Sequence, residues 1–286
     1  MAWQGTLDLH YRRRGDHTVA LDRHDGPLRV LRALYPEGPT VCHHVLVHPP
    51  GGLVSGDDLR VQILVDSEAH ALITTPGATR FYRSAGSPAT QQVHATVHAG
   101  ARLEWLPLET ILHDQAHGRN AVRFTLEAGA HLIGWDLLVL GLPASDEPFT
   151  QGHFEQTIEW PDYWLERGLL DLHTPGQMEL TRRRLSSPLG WGGHSVLATM
   201  WLACGTPCSA IETAEWLDAT RATVASINGA APSNQIGVSS IDNRLMVLRA
   251  LAHRTEPIWP LLRAVRQAWR ERLWNLPACS PRVWST

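Results

Sequence analysis

The chain of 286 residues contains no lysine: all 25 basic residues are arginine. That absence excludes a P-loop lysine, a Schiff-base lysine and a Ser-x-x-Lys nucleophile. Cysteine is also scarce. Cys42, Cys204, Cys208 and Cys279 are scattered along the chain, which suits a reducing compartment rather than a disulfide scaffold. No apolar run approaches the roughly 18 residues of a spanning helix, and the opening MAWQGTLDLHYRRRG lacks the apolar centre of a signal peptide. The expectation is a cytoplasmic protein with no membrane partner. A net charge of −3 provides no global field for nucleic acid. Also missing are a G-x-S-x-G elbow and a G-x-G-x-x-G loop; Gly51, Gly52 and Gly56 fit neither.

What is present is mostly period two. Leu59, Val61, Ile63 and Val65 alternate with Arg60, Gln62 and Asp66, and similar alternation runs through Val93–Val97 and Val122–Leu126. Each is the pattern of a half-buried strand. The segments VQILVDSEAHALITT, VHATVHAGARLEWL and VRFTLEAGAHLIGWD share a strand–turn–strand scheme. Glu68, Gly100 and Gly129 occupy equivalent turn positions, 32 and then 29 residues apart. A period near 30 in strand-rich sequence predicts stacked coils, with an ordinary sandwich as the alternative.

The last third differs. His194–Ala203 reads as a strand. Ser209 and Glu212 form a capping box at the head of a helix whose apolar positions include Ile211, Ala214, Leu217 and Val224. Residues 236–250 return to strand with a turn at Asp242-Asn243. A second helix begins between Pro257 and Pro260 and stops before Pro277. The expected fold is mainly β, a β-helix-like body of stacked strands with two α-helices in a C-terminal α/β portion. The chain reads as one domain, with a stacked body over 1–192 and a strand–helix–strand–helix portion over 193–286 packed on it. Twelve Trp serve chiefly for packing, with some as interface anchors. The arginine runs 12–14 and 182–184 read as solvated loop surface.

Candidate chemistry is thin. His113 and His117 in HDQAH have the i, i+4 spacing of a zinc hydrolase, but the geometry needs a helix and strands flank the motif, so a polar loop is the better reading. On a strand, Cys42, His44 and His48 point one way and His43 the other. A hydrogen-bonded strand outweighs a metal cage there, because no fixed ligand spacing is met. Cys204-x-x-x-Cys208 reads as a turn with two small apolar residues. The acids are more telling: Asp57 and Asp58 after a glycine turn, Glu104 and Glu109 flanking Trp105, Asp136 at an apolar strand. Acids beside apolar strands are costly unless paired, hydrated or bound to a cation. Arg60, Arg80, Arg83 and Arg102 are the candidate partners, and a hydrated polar passage is the alternative.

Three blocks in order carry a resemblance: CHHVLVHPPGGLVSGDDL (42–59), TTPGATRFYRS (74–84) and LEWLPLETIL (103–112). With GPLRVLRALYP (26–36), the turns after Gly100 and Gly129 and the helical end, they resemble the urease accessory proteins of the UreD/UreH family over nearly the whole chain. The resemblance implies a β-helix-like body that does no catalysis. It implies a scaffold linking apo-urease to the accessory protein UreF and the GTPase UreG, and leaves room for a dimer within the complex. It further implies that nickel(II) crosses the protein in transit, with no tightly bound cofactor. By position in matching blocks, Asp57, Thr79, Asp136 and Glu166 are implied to line the nickel passage; Asp58 and Glu109 are added on their chemistry. Weak oxygen ligands suit an ion that must also leave. Two positions depart from the family pattern: Leu142 stands where an Arg is usual after Gly141, and Arg80 where a Lys is frequent. The rival readings are a metal-dependent hydrolase using His113 and His117, and a purely structural β-solenoid.

Overall fold

Inward-facing apolar residues at every second position let successive strands stack in register, and the chain coils accordingly. The computed structural model describes residues 2–228 and 235–285. A hairpin of β1 (Gln4–Arg14) and β2 (His17–Asp25) leads through the short β3 (Arg29–Val30) into β4 (Val41–Val47). Three coils follow. The first is β5 (Asp58–Val65), β6 (His70–Thr74) and β7 (Thr79–Phe81); the second is β8 (Ala89–Val97), β9 (Arg102–Leu106) and β10 (Thr110–Leu112). The third begins with β11 (Ala116–Leu126) and β12 (His131–Leu140). The hairpin β13 (Gly152–Trp160) and β14 (Trp164–Asp171) then closes one face, followed by α1 (Gln177–Ser186). The chain ends with β15 (Val196–Cys204), α2 (Ala210–Asn228), β16 (Gln235–Ile241), β17 (Leu245–Ala252) and α3 (Ile258–Trp274).

Two sheets result. One runs β14-β13-β11-β8-β5-β1-β2, the other β16-β17-β15-β12-β9-β6-β4-β3. The pairs β1–β5, β5–β8, β8–β11 and β11–β13 are parallel, as are β4–β6, β6–β9 and β9–β12. This is a β-solenoid-like arrangement of about 4 turns. The repeat positions explain the stacking: Glu68, Gly100 and Gly129 all take left-handed φ, at 63°, 69° and 72°. A Cβ on Gly100 would lie 1.9 Å from Glu68 Oε1, so the stacked turns need glycine where the coils touch.

The apolar interior has two parts. One fills the space between the sheets, with Leu59, Val93, Val122, Phe124, Phe154 and Trp201 among its members. The other lies between the second sheet's outer face and the helices, where Ile258, Leu261, Leu262, Val265 and Trp269 of α3 pack on Trp135, Val139 and Met200. β12 is therefore buried on both faces, which is why its sequence is a continuous apolar run broken only by Gly134 and Asp136. The capping box forms as expected: Ser209 Oγ accepts from Glu212 N at 3.2 Å, and Ser209 N donates to the Glu212 carboxylate at 2.9 Å.

Two features depart from expectation. Residues 177–186 form a third helix inside the stretch read as stacked strands. It has only ten residues and one buried side chain, Thr181, so it shows almost no apolar period. Arg183 and Arg184 lie in its last turn, favourably placed against the helix dipole. Glu104 also differs. It is fully buried, and its partners are Arg266 and Arg270 of α3 and His70 of β6, not a nearby arginine. Arg266 Nε donates to Glu104 Oε2 at 2.7 Å, and Arg270 Nη1 to Glu104 Oε1. Burial pushes the Glu104 carboxyl up, but Arg266, His70 and Arg270 outweigh it and hold it well below the usual carboxylate range. This ionic lock fastens α3 to the sheet.

Candidate functional site

The inward row of the first sheet is interrupted at one level by amides. Gln91 on β8, Asn120 on β11 and Gln156 on β13 are in direct register, and all stand where apolar residues precede and follow. From the facing sheet, Asp136 of β12 points at them. Gln91 Nε2 donates to Asn120 Oδ1 at 3.2 Å; Asn120 Nδ2 and Gln156 Nε2 donate to Asp136 Oδ2 at 3.4 and 2.9 Å. The result is a polar seam through the apolar interior. Burial raises the Asp136 carboxyl to about 7 despite the Gln156 hydrogen bond, because no cation offsets the desolvation.

The seam ends at two cavities. Gln91 lines one of about 260 Å³, with Thr75, Thr79, His48, Trp105 and the Gly51-Gly52 turn. Asp136 and Gln156 line the other, of about 400 Å³, with Glu166, Thr199 and Trp191. Buried polar atoms lacking a protein partner lie at both ends: His48 Nε2 and Gln156 Oε1. Burial lowers the pKa of His48, with Asp57 opposing, so its imidazole is biased to the neutral form that binds cations.

The six expected passage residues therefore separate. Thr79 stands at the first cavity, where its N–H donates to the Glu109 carbonyl at 2.9 Å. Asp136 and Glu166 line the second. Glu166 is occupied by Arg249, whose Nε donates to Oε1 at 3.0 Å and whose Nη2 donates to Oε2. Glu109 faces a separate cavity of about 200 Å³ with Arg254 and Glu256. Burial raises its carboxyl, Glu256 adds to this and Arg80 opposes it. Asp57 lines none of these cavities. Its carboxylate accepts from Trp3 N at 2.7 Å and Val54 N at 2.9 Å, tying the glycine turn to the N-terminal strand. Asp58 is paired at the surface, with Arg60 Nη2 at 2.7 Å and Thr90 Oγ1 at 2.6 Å. Gln91, Asn120, Gln156 and His48 complete the seam and its first cavity. Polar residues at inward positions of strands are the sequence signal for the three amides.

The other motifs resolve simply. HDQAH is no helix: His113-Asp114-Gln115 turns with Gln115 at φ 65°, and Ala116 opens β11. The His113 ring packs at a tilt against Tyr82, 4.6 Å between centroids, whereas His117 bonds the Gly86 carbonyl and packs on His153. The two imidazoles do not share the helical face a zinc hydrolase requires, which removes the motif on which that rival rested. Cys42 and His44 do share the inward face of β4, but His44 Nδ1 bonds the Tyr11 hydroxyl at 2.9 Å and burial pushes the Cys42 thiol up to about 11. At Leu142, where the resemblance implies an arginine, the loop is closed by backbone bonds: Leu142 N donates to Glu147 O at 2.7 Å, and Glu147 N returns to Leu142 O at 3.3 Å. No helix among the described residues is long and apolar enough to cross a membrane.

Comparison with known proteins agrees with this architecture. The profile of the UreD urease accessory protein family matches residues 4–285. Proteins named urease accessory protein UreD from Methylibium petroleiphilum, Leptothrix cholodnii and Variovorax paradoxus are 52%, 50% and 48% identical to the chain. Each alignment covers 100% of both sequences. With its stacked coils, interior seam and full-length similarity, this chain belongs to the UreD family of urease accessory proteins.

Proposed function

We propose that the protein is a urease maturation factor that passes nickel(II) through its interior. It acts without bond-making chemistry, as a scaffold between apo-urease and the UreF-type protein, with the UreG-type GTPase reached through UreF. The setting is the cytoplasm. The observation that carries this reading is the seam Gln91–Asn120–Asp136–Gln156 linking two cavities across an otherwise apolar interior. Asn120, Asp136 and Gln156 are buried and Gln91 is half-buried, and taking such a row out of water opposes folding unless hydrogen bonds or a ligand offset it.

The donor set suits an ion in transit. Amide oxygens and a single carboxylate replace part of a hydration shell without closing a cage. Asp136 is the one acid on the seam, and a dication arriving there displaces its proton and meets a charge only while it stays. Glu166 at the far cavity is neutralised by Arg249, so an ion leaving the seam is not held there.

The test is co-expression of urease with the full accessory set, reading the nickel content of purified urease and the integrity of the complex. Asp136→Ala is expected to lower nickel loading while the complex still assembles. Unchanged loading would refute the passage; failure of assembly would make Asp136 a structural residue. Asp57→Ala is expected to weaken assembly as well, because its carboxylate ties two backbone amides.

A further inference from the structure

Among the described residues, one trio of His, Cys and carboxylate side chains brings a donor atom from each within 4.8 Å of the others, and it lies outside the seam. It consists of Glu37 in the loop before β4, His43 on β4 and Cys279 in the segment after α3. Strand alternation separates it from the interior: Cys42 and His44 face the space between the sheets, and His43 faces the side covered by α3. The His43 and Glu37 side chains are 4% and 7% exposed, and Cys279 is half-buried.

We propose that Glu37, His43 and Cys279 bind one divalent transition ion of borderline softness, for which zinc is the best match. The three donors are a carboxylate oxygen, an imidazole nitrogen and a thiol sulfur. Zinc accepts all three types, and three protein ligands leave a fourth position for water. Carboxylate and thiolate together balance the ion's charge.

The surroundings already orient the ligands. Arg270 Nη2 holds Glu37 Oε2, which leaves Oε1 for His43 Nε2 at 2.6 Å. Arg266 Nη1 donates to the Cys279 carbonyl at 3.1 Å, fixing that segment beside the pair. Such outer contacts are what keep metal ligands in place. The guanidiniums do not repel the ion unopposed, because both also pair with Glu104.

Without metal, the His43–Glu37 hydrogen bond closes the gap. Zinc bonds of about 2.0–2.3 Å set tetrahedral donors roughly 3.3–3.6 Å apart, so the pair opens slightly and the Cys279 side chain turns inward. Zinc takes His43 Nε2 as a neutral imidazole, the ring proton moving to Nδ1, and the metal–sulfur bond replaces the Cys279 thiol proton, which leaves to solvent. The bound ion ties the loop before β4 to the C-terminal segment, which already anchors through Trp284 Nε1 to Thr74 Oγ1 at 2.8 Å.

The test uses the full chain, freed of metal and titrated separately with zinc and cobalt(II) salts. One equivalent of each is expected to bind, with cobalt giving a thiolate charge-transfer band. Cys279→Ser should remove the band and weaken zinc by more than the ~10–100-fold lost with an outer-shell partner. Cys42→Ser should leave both readouts unchanged, because that thiol lies on the opposite face of β4, so a thiolate band lost only in Cys279→Ser reports this site and not the nickel passage. Should Cys279→Ser not fold, maleimide labelling of the wild-type chain serves instead: zinc is expected to protect Cys279. Absence of stoichiometric zinc binding, a band that survives Cys279→Ser, or labelling of Cys279 unaffected by zinc would each overturn the proposal.

Discussion

Asp136→Asn isolates the property on which the seam depends. The carboxyl is buried among two amides with no cation beside it, and burial raises it from 3.8 to about 7. A group whose folded-state value is raised above its unfolded value keeps its proton longer when folded. Between about pH 4 and pH 7 the folded state therefore binds more protons, and stability falls as pH rises through that window. The displacement corresponds to about 4 kcal/mol at pH above 7, a large share of the ~5–15 kcal/mol typical of a whole domain. Asparagine keeps the shape and an oxygen for the Asn120 and Gln156 donors, but has nothing to ionise. Urea denaturation of both proteins across this range is the assay. Because every other group titrates alike in the two, the difference between them reads Asp136 alone. The variant is expected to gain on wild type steadily as pH rises, reaching about 4 kcal/mol. A difference that stays flat with pH, or that shrinks, would refute the claim of an uncompensated buried carboxyl. The same variant should deliver less nickel, so stability and function are expected to move in opposite directions.

Other perturbations test the frame around the seam. Glu104→Gln strands the buried Arg266 guanidinium and leaves Arg270 with Glu37 alone, and is expected to cost about 3–5 kcal/mol in denaturant unfolding; a loss under ~1 kcal/mol would mean that the lock holds little. Gly134→Ala would set a methyl 2.3 Å from the Trp201 ring across the β12–β15 ladder. It is expected to lower Tm by the equivalent of ~1–3 kcal/mol, and an unchanged Tm would contradict that packing. Ser209→Ala removes the hydroxyl of the capping box and is expected to cost about 1 kcal/mol, read as reduced protection from hydrogen exchange in the first turn of α2.

Local rules carried much of the fold. Alternation located the coil strands, because a strand with one face inward must repeat every two residues. The turns at Gly100 and Gly129 were legible because left-handed backbone favours glycine, whereas Glu68 was aligned with them by the spacing of the repeat. The capping box and prolines placed α2 and α3, and the ordered glycine-rich blocks pointed to the family. The helix at 177–186 escaped notice since it buries little and so leaves no period.

Partnership across the chain was decided only by the tertiary structure. Glu104 meets Arg266 and Arg270, which lie 162 and 166 residues further on, after the chain has added eight more strands. Asp57 and Asp136 looked alike as acids beside apolar strands; one caps backbone amides, and the other faces a row of amides from the opposite sheet. For the same reason Thr79, Glu109, Asp136 and Glu166 line three separate cavities, whereas Asp57 and Asp58 line none of them. Residue type and spacing determine which face of a strand a side chain takes. Parallel stacking, which pairs residues some thirty positions apart, determines what it meets there.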